Sequence, residues 1–184
     1  MMMPLRAIVG LILGLSAGGL AAAPNAVPTR EQPAEGRIGS EGIIFSVIEY
    51  TRWPAADKPA LLCVTSGGAR GAEVVRALRG KPQPQRLEAR EIESNRSPPA
   101  ACDVVLYEGW DPATQRKLLA AQADRPVMSI GFGSDFCSDG GILCLTLNSA
   151  ADRQFEVNLD AVARSGLRIN PRVLQLARPP RKPA

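Results

Sequence analysis

Residues 60–80 read ALLCVTSGGARGAEVVRALRG, and this stretch decides the fold. Residues 60–65 form a continuous apolar run, which is typical of a short strand buried on both faces. A Ser-Gly-Gly turn follows, and Val74, Val75 and Leu78 then lie on one side of a helix that ends at Gly80. A buried strand, a tight turn and an amphipathic helix together predict one β-α unit of a parallel sheet.

Further strands and helices are predicted on both sides of this unit. A helix with Ser40 as its cap and Pro54 as its stop precedes it. The other predicted strands lie at residues 85–92, 103–107, 126–132, 142–147 and 153–159. The other predicted helices run from Asp111-Pro112 to about Ala123, over residues 159–165, and from Asn170-Pro171 to Ala177. The first of these strands is expected at an edge, and the last two as an antiparallel hairpin. We therefore expect an α/β sandwich with a mostly parallel central sheet, an antiparallel edge hairpin and helices on both faces.

The N-terminal region has the pattern of a secretory signal peptide. Arg6 precedes an apolar run and then small residues, and the run is too short and too rich in Gly and Ala to span a ~30 Å hydrocarbon core comfortably. We expect residues 1–23 to be a signal peptide that is cleaved after Ala21 or Ala23. Residues 24–39 are predicted to be a flexible leader, residues 40–178 the folded domain and residues 179–184 a disordered tail.

Export changes the interpretation of the four cysteines in a chain without histidine. Paired thiols outside the reducing cytoplasm oxidise, so an even count predicts two disulfides. Zinc would need all four cysteines, and because neither C-x2-C nor C-x4-C spacing occurs we expect no metal. Three pairings are possible. The loop between Cys137 and Cys144 contains two glycines that let the backbone reverse, which favours that pair and leaves Cys63 with Cys102.

The net charge of +4 is concentrated near the C-terminus. After Asp160 there are no acidic residues but six basic ones: Arg164, Arg168, Arg172, Arg178, Arg181 and Lys182. Such a run can attract phosphate or an anionic membrane surface, although a solvated helix face and tail is the simpler interpretation. Nucleic acid is not expected as a partner, because no aromatic residue lies near the run.

The strongest candidate for ligand binding is the glycine-rich turn of residues 66–71, which is similar to a dinucleotide-binding turn. Its spacing is G-G-x-x-G rather than G-x-G-x-x-G, so a plain turn is favoured. A small ligand in the crevice near Gly67 and Gly71 is an alternative. The chain has no histidine, which excludes Ser-His-Asp and Cys-His systems.

Two carboxylate pairs are the remaining candidates for acid and base: Asp135 with Asp139, and Glu88 with Glu91. Their predicted positions on a loop and an edge strand favour solvated charges over an unrecognised hydrolase. We therefore expect a protein that is not an enzyme and carries no cofactor.

The last third of the chain, RPVMSIGFGSDFCSDGGILCLTLNSAADRQFEVNLDAVARSGLRINPRVLQLAR, resembles the C-terminal signature of the YfiR family. The segments YTRWPA, LLCVTS and ACDVVLY extend the resemblance, which covers about residues 40–178. The family's disulfide pattern matches both proposed cysteine pairs. One departure is the turn at residues 65–71, where many members carry a G-D-x-P-F-G-like sequence.

The resemblance implies a periplasmic repressor that binds the periplasmic region of an inner-membrane YfiN-type diguanylate cyclase and lowers cyclic-di-GMP and biofilm formation. It also implies a homodimer and an outer-membrane YfiB-type lipoprotein that sequesters the repressor. Some relatives accompany other sensors, so a regulator of another membrane sensor is a further alternative.

Partner binding of this kind uses exposed apolar groups on a rigid scaffold. We expect Leu167, Arg168 and Ile169, which follow the turn at Gly166, to bind the partner, together with Trp53. For Leu167 and Ile169 the alternative is helix-end packing into the core. For Trp53 the alternative is a cap over the core.

Overall fold

Eight strands and six helices make up the part of the chain that the computed structural model describes, residues 39–54, 58–80, 87–146 and 154–176. The elements in chain order are α1 Ser40–Glu49, β1 Thr51–Arg52, β2 Ala60–Thr65, α2 Ala69–Gly80, β3 Leu87–Ile92, β4 Val104–Leu106, α3 Pro112–Gln122, β5 Met128–Phe132, α4 Ser134–Ser138, β6 Leu143–Leu145, β7 Phe155–Val157, α5 Leu159–Ser165, β8 Arg168–Ile169 and α6 Val173–Leu176. The predicted signal peptide, nearly all of the predicted leader and the predicted tail lie outside these residues.

The central sheet has six strands in the order β3-β2-β4-β5-β6-β7. Every neighbouring pair is parallel except β6 and β7, which form the predicted antiparallel hairpin. Strand β3 lies at the edge, as its charged sequence predicts. The expected fold class is confirmed.

Successive side chains of the central strands point to opposite faces of the sheet, as strand geometry requires. One face packs against residues of α1, α2, α5 and α6, and the other against α3 and α4. Helices α2 and α3 therefore cover opposite faces. The strand order reverses between β2 and β4, because the connection through α2 leads to β3 and the connection through α3 leads to β5.

The first helix is shorter than predicted. It begins after Gly39, which has an extended conformation and takes the cap position expected for Ser40. It ends at Glu49 rather than continuing to Pro54, because Thr51 and Arg52 form β1. The hydroxyl of Thr51 donates a hydrogen bond to the Val47 carbonyl at 2.7 Å and closes the last turn.

Strand β1 pairs with β8 in a separate two-stranded antiparallel sheet that the sequence did not predict. Each strand has only two residues, and β8 occupies the short connection between the two C-terminal helices. The pairing places Thr51 opposite Ile169 and Arg52 opposite Arg168. This small sheet joins residues from opposite ends of the described domain.

The start of α3 and the end of α5 follow the predicted chemistry, whereas the last helix begins at Val173 rather than at Asn170-Pro171. The Asp111 carboxylate caps α3 by accepting a hydrogen bond from the Thr114 N–H at 2.8 Å, and this bond lowers the pKa of Asp111. Helix α5 ends at Gly166, whose φ of 74° lies in the left-handed region.

The short helix α4 was not predicted within the cysteine loop. Its Phe136 side chain is buried, and its ring lies between the backbones of Gly131 and Gly141. A Cβ atom at either glycine would collide with the ring. The two neighbouring glycines of the loop therefore serve different purposes: Gly140 adopts a φ of 102°, whereas Gly141 admits the aromatic ring.

Candidate functional site

A groove lies beside the small sheet formed by β1 and β8. Its volume is about 430 Å³, within the usual range for a ligand site. The lining residues come from the end of α1, from both strands and from the segment after β8: Glu49, Tyr50, Arg52, Arg168, Ile169, Asn170 and Pro171. The Asn170 N–H donates to the Tyr50 carbonyl at 2.9 Å and holds the two sides of the groove together.

Two exposed arginines dominate the charge of this groove. Arg52 and Arg168 are register partners across the β1–β8 ladder, so their side chains are neighbours. Within the described ranges, neither guanidinium forms an ion pair. Like charges directly opposite each other destabilise an antiparallel pair, so an anionic partner would relieve a repulsion that the free protein carries.

Apolar surface accompanies this charge. The Tyr50 side chain is 36 % exposed, and Ile169 is half-buried. Arginine and tyrosine are among the residue types most often found at the energetic centre of protein interfaces. The groove therefore combines charge for orientation with apolar area for contact.

The four predicted partner-binding residues lie in different environments. Arg168 and Ile169 line the groove, whereas Leu167 is only 4 % exposed and packs into the core beneath it. Trp53 is half-buried against the same core layer, and its indole N–H donates to the Asp103 carbonyl at 3.4 Å. Leu167 is thus packed in the core, and Trp53 covers the core.

The sequence did not single out the other groove residues. Tyr50 and Arg52 belong to the segment YTRWPA, and Asn170 and Pro171 to a predicted helix start, but neither pattern indicates a groove. The missing signal was the pairing of β1 with β8, which brings these two segments together. Two-residue strands are too short to produce a hydrophobic period that a sequence can reveal.

The glycine-rich turn after β2 lies at the carboxyl edge of the sheet, where the strand order reverses. In many α/β proteins this position binds a ligand. Here the Glu108 carboxylate, which follows β4, accepts hydrogen bonds from the N–H groups of Arg70 at 3.2 Å and Gly71 at 2.9 Å. An internal anion therefore occupies the donors that a phosphate would use.

Further contacts hold this internal anion in place. The Arg70 guanidinium lies 3.7 Å from a Glu108 oxygen, and its carbon lies 4.7 Å from the centre of the Phe132 ring. Gly68 leaves room for the carboxylate, because a Cβ atom there would collide with it. These contacts disfavour the alternative of a small anionic ligand near Gly67 and Gly71.

Two disulfides cross-link the domain: Cys63 with Cys102 and Cys137 with Cys144. The first joins β2 to the segment that enters β4, and the second joins α4 to β6. This is the pairing favoured by the short loop between Cys137 and Cys144. Within the described ranges, no group of three or more cysteine or carboxylate side chains converges as a metal site.

Neither of the two carboxylate pairs considered as acid and base is buried. Asp139 lies 3.7 Å from the Arg116 guanidinium, and Asp135 is exposed at the start of α4. Glu88 and Glu91 are exposed on the edge strand β3.

Among the residues that the structure describes, no helix is both long enough and apolar enough to cross a membrane.

These features define a doubly cross-linked α/β domain of the kind that forms where thiols oxidise, outside the reducing cytoplasm. The family model described as YfiR/HmsC-like matches residues 41–178, and the chain belongs to this family. Its members are periplasmic, regulatory rather than catalytic, and act in general with diguanylate cyclases.

Proposed function

We propose that this protein is a non-catalytic periplasmic regulator that binds and represses an inner-membrane YfiN-type diguanylate cyclase. Repression lowers cyclic-di-GMP and with it biofilm formation. The observation that carries the proposal is the family match over residues 41–178, which spans nearly the whole described domain from α1 to α6. The two disulfides support an oxidising compartment, since such bonds rarely persist in the cytoplasm.

The proposed partner surface centres on Arg168 and Ile169 in the groove. Leu167 supports this surface from beneath because it fixes β8 against the core. Trp53, which packs against the same core, supports β1 in the same way. A rigid ladder of this kind holds its side chains in place before binding, which reduces the entropy lost on association. We also propose that the protein is a homodimer and that an outer-membrane YfiB-type lipoprotein sequesters it from the cyclase.

The decisive experiment measures cyclic-di-GMP in cells. Deletion of the coding sequence is expected to raise the nucleotide, and the wild-type chain supplied in trans is expected to restore the original level. A chain lacking residues 1–23 serves as the control and is expected to fail, because it would stay in the cytoplasm. An unchanged level after deletion overturns the proposed cyclase role.

Two further measurements test the proposed partners. Purified wild-type protein is expected to retain the cyclase from detergent-solubilised membranes, and recovery of a different membrane sensor would replace the cyclase with that sensor. Sedimentation equilibrium is expected to give twice the monomer mass, whereas a monomer at micromolar concentration contradicts the dimer.

A further inference from the structure

We propose that the groove beside β1 and β8 binds an extended acidic segment of the membrane partner, with Arg52 and Arg168 pairing with its carboxylates. Tyr50 and Ile169 then contact an apolar side chain of the same segment. This inference rests on the proposed function, since a membrane partner supplies the segment. It adds the chemistry of recognition and the residues that perform it.

The first argument is the cost of the arginine pair in the free protein. Arg52 and Arg168 are directly opposed on a ladder of only two residue pairs, so half of the ladder consists of like charges. Such a destabilising pair of like charges is typical of a functional site, because proteins keep locally unfavourable arrangements where function requires them. Guanidinium groups keep their charge at all relevant pH values and bind carboxylates through two parallel hydrogen bonds.

The second argument is the charge of the surrounding chain. No acidic residue follows Asp160 in the sequence, so all the charged residues in β8 and in the segments on either side of it are basic. Arg164 and Arg172 are both exposed on either side of β8. A positive field of this kind attracts an acidic segment and accelerates its encounter with the groove.

The composition of the groove favours a peptide over a compact anion such as phosphate. Tyr50, Ile169 and Pro171 give it apolar surface that phosphate does not use. A peptide separates its carboxylates by apolar side chains, since alternate residues of an extended chain point in opposite directions.

The test uses the purified mature protein and the purified periplasmic region of the cyclase, with affinity measured by titration calorimetry at several salt concentrations. Arg52→Glu and Arg168→Glu are each expected to weaken binding at least about tenfold, because each leaves a partner carboxylate opposite a negative charge. Lys117→Glu is the matched control. Its lysine is exposed on α3, which covers the face of the sheet opposite to α1, and the affinity of this variant is expected to stay within about twofold of wild type.

Thermal melting separates loss of binding from loss of fold. Each single groove substitution converts a like-charged cross-strand pair into an opposite pair, so both variants are expected to melt at or above the wild-type temperature. A stable variant that has lost affinity supports the inference. Groove variants that bind the cyclase region as tightly as wild type overturn it and leave the proposed function intact.

Three other outcomes also decide the question. Inorganic phosphate that binds wild type but not Arg168→Glu would assign the groove to a small anion and overturn the peptide. A wild-type protein that does not bind the cyclase region at all overturns the proposed function, and the inference falls with it. Binding of wild type that weakens as salt rises, with this dependence reduced in the two groove variants, supports the acidic segment.

Discussion

The carboxylate of Glu108 accepts a hydrogen bond from the backbone N–H of Gly71 at 2.9 Å and thereby joins the end of β4 to the start of α2. Glu108 follows β4, and Gly71 belongs to α2, the helix that follows the neighbouring strand β2. A single side chain thus links the two elements that flank the point at which the strand order reverses. The glycine-rich turn satisfies an internal carboxylate, which explains its resemblance to a phosphate-binding turn without requiring a phosphate.

Replacement of Glu108 by alanine is expected to destabilise the domain by about 1–3 kcal/mol. The substitution removes the acceptor for two backbone N–H groups, and the loss of a partly buried hydrogen bond to a charged group costs that much. Urea denaturation followed by circular dichroism measures the change. Glu91→Ala, at an exposed position of β3, is the control and is expected to change stability by less than about 0.5 kcal/mol.

Gly68 provides a second test of this contact. Gly68→Ala places a Cβ atom against the Glu108 carboxylate and is expected to destabilise the wild-type background. In the Glu108→Ala background the same substitution is expected to cost less, because the colliding group is absent. Additive effects in this double-mutant cycle would show that the two residues do not interact.

Gly141→Ala is expected to destabilise the domain by about 1–3 kcal/mol or more, since the added methyl group collides with the buried Phe136 ring. The melting temperature reports the loss. Gly80→Ala is the matched control, because a methyl group added there, at the end of α2, would meet none of the residues that the structure describes within 4 Å. Alanine also favours helix, so the stability of this variant is expected to be equal or higher. Equal losses for both variants would contradict close packing around Phe136.

The two disulfides are expected to contribute unequally. Their cysteines are 39 and 7 residues apart, and chain entropy then gives about 4 kcal/mol for Cys63–Cys102 and about 2 kcal/mol for Cys137–Cys144. Equilibrium unfolding of the two double variants, with both cysteines of a pair replaced by alanine, measures these values. A greater loss from the short loop would show that packing or denatured-state structure outweighs loop closure.

The order of reduction is a separate prediction. Cys137 is half-buried, whereas Cys63, Cys102 and Cys144 are buried. A thiolate reductant therefore reaches Cys137 first, and the short-loop disulfide is expected to open at lower reductant concentration. Alkylation followed by mass spectrometry identifies the pair that opens, and earlier labelling of Cys63 or Cys102 would be the contrary result.

Alkaline pH is expected to destabilise the protein through Tyr107. Burial raises the pKa of this phenol far above its usual range, and its hydroxyl donates a hydrogen bond to the Gln122 side-chain oxygen at 3.2 Å. The unfolded chain releases this proton at pH values near 10, where the folded chain keeps it. Its contribution to stability is therefore complete below about pH 10 and is lost progressively as pH rises further.

Tyr107→Phe tests this dependence, because phenylalanine cannot ionise. Its melting temperature is expected to fall less steeply than that of wild type between about pH 9 and pH 12. Tyr50→Phe is the control, since Tyr50 is the other tyrosine of the chain and is exposed. Parallel curves for Tyr107→Phe and wild type would remove Tyr107 as the cause.

Most of the central sheet could be predicted because each of its elements carries a local signal. The apolar run of β2, the alternation of β7 and the Asp111 cap of α3 all depend on residues that are neighbours in sequence. Short βαβ connections with a fixed hand leave few possible arrangements of such strands. Thr51 and Arg52 show the limit, since their strand exists only through pairing with Arg168 and Ile169.

The candidate site was only partly predictable for the same reason. Arg168 and Ile169 stand out in the sequence by their place between two helices, and the structure brings them into the groove with Tyr50 and Arg52. The burial of Leu167 depends on how the domain closes over it, which periodicity cannot reveal in so short a segment. Glu108 carries no such signal, because its hydrogen bonds reach from one strand end to the turn after another.

The pairing of β1 with β8 also constrains the order in which the protein can mature. A polypeptide that emerges from its amino end presents Thr51 and Arg52 long before Arg168 and Ile169 are made. The ladder between β1 and β8 therefore cannot form until β8 has emerged. Contacts between such distant residues form late and slow the overall reaction. The arginine-lined surface therefore exists only once β8 has been made, and products truncated before Arg168 would lack it.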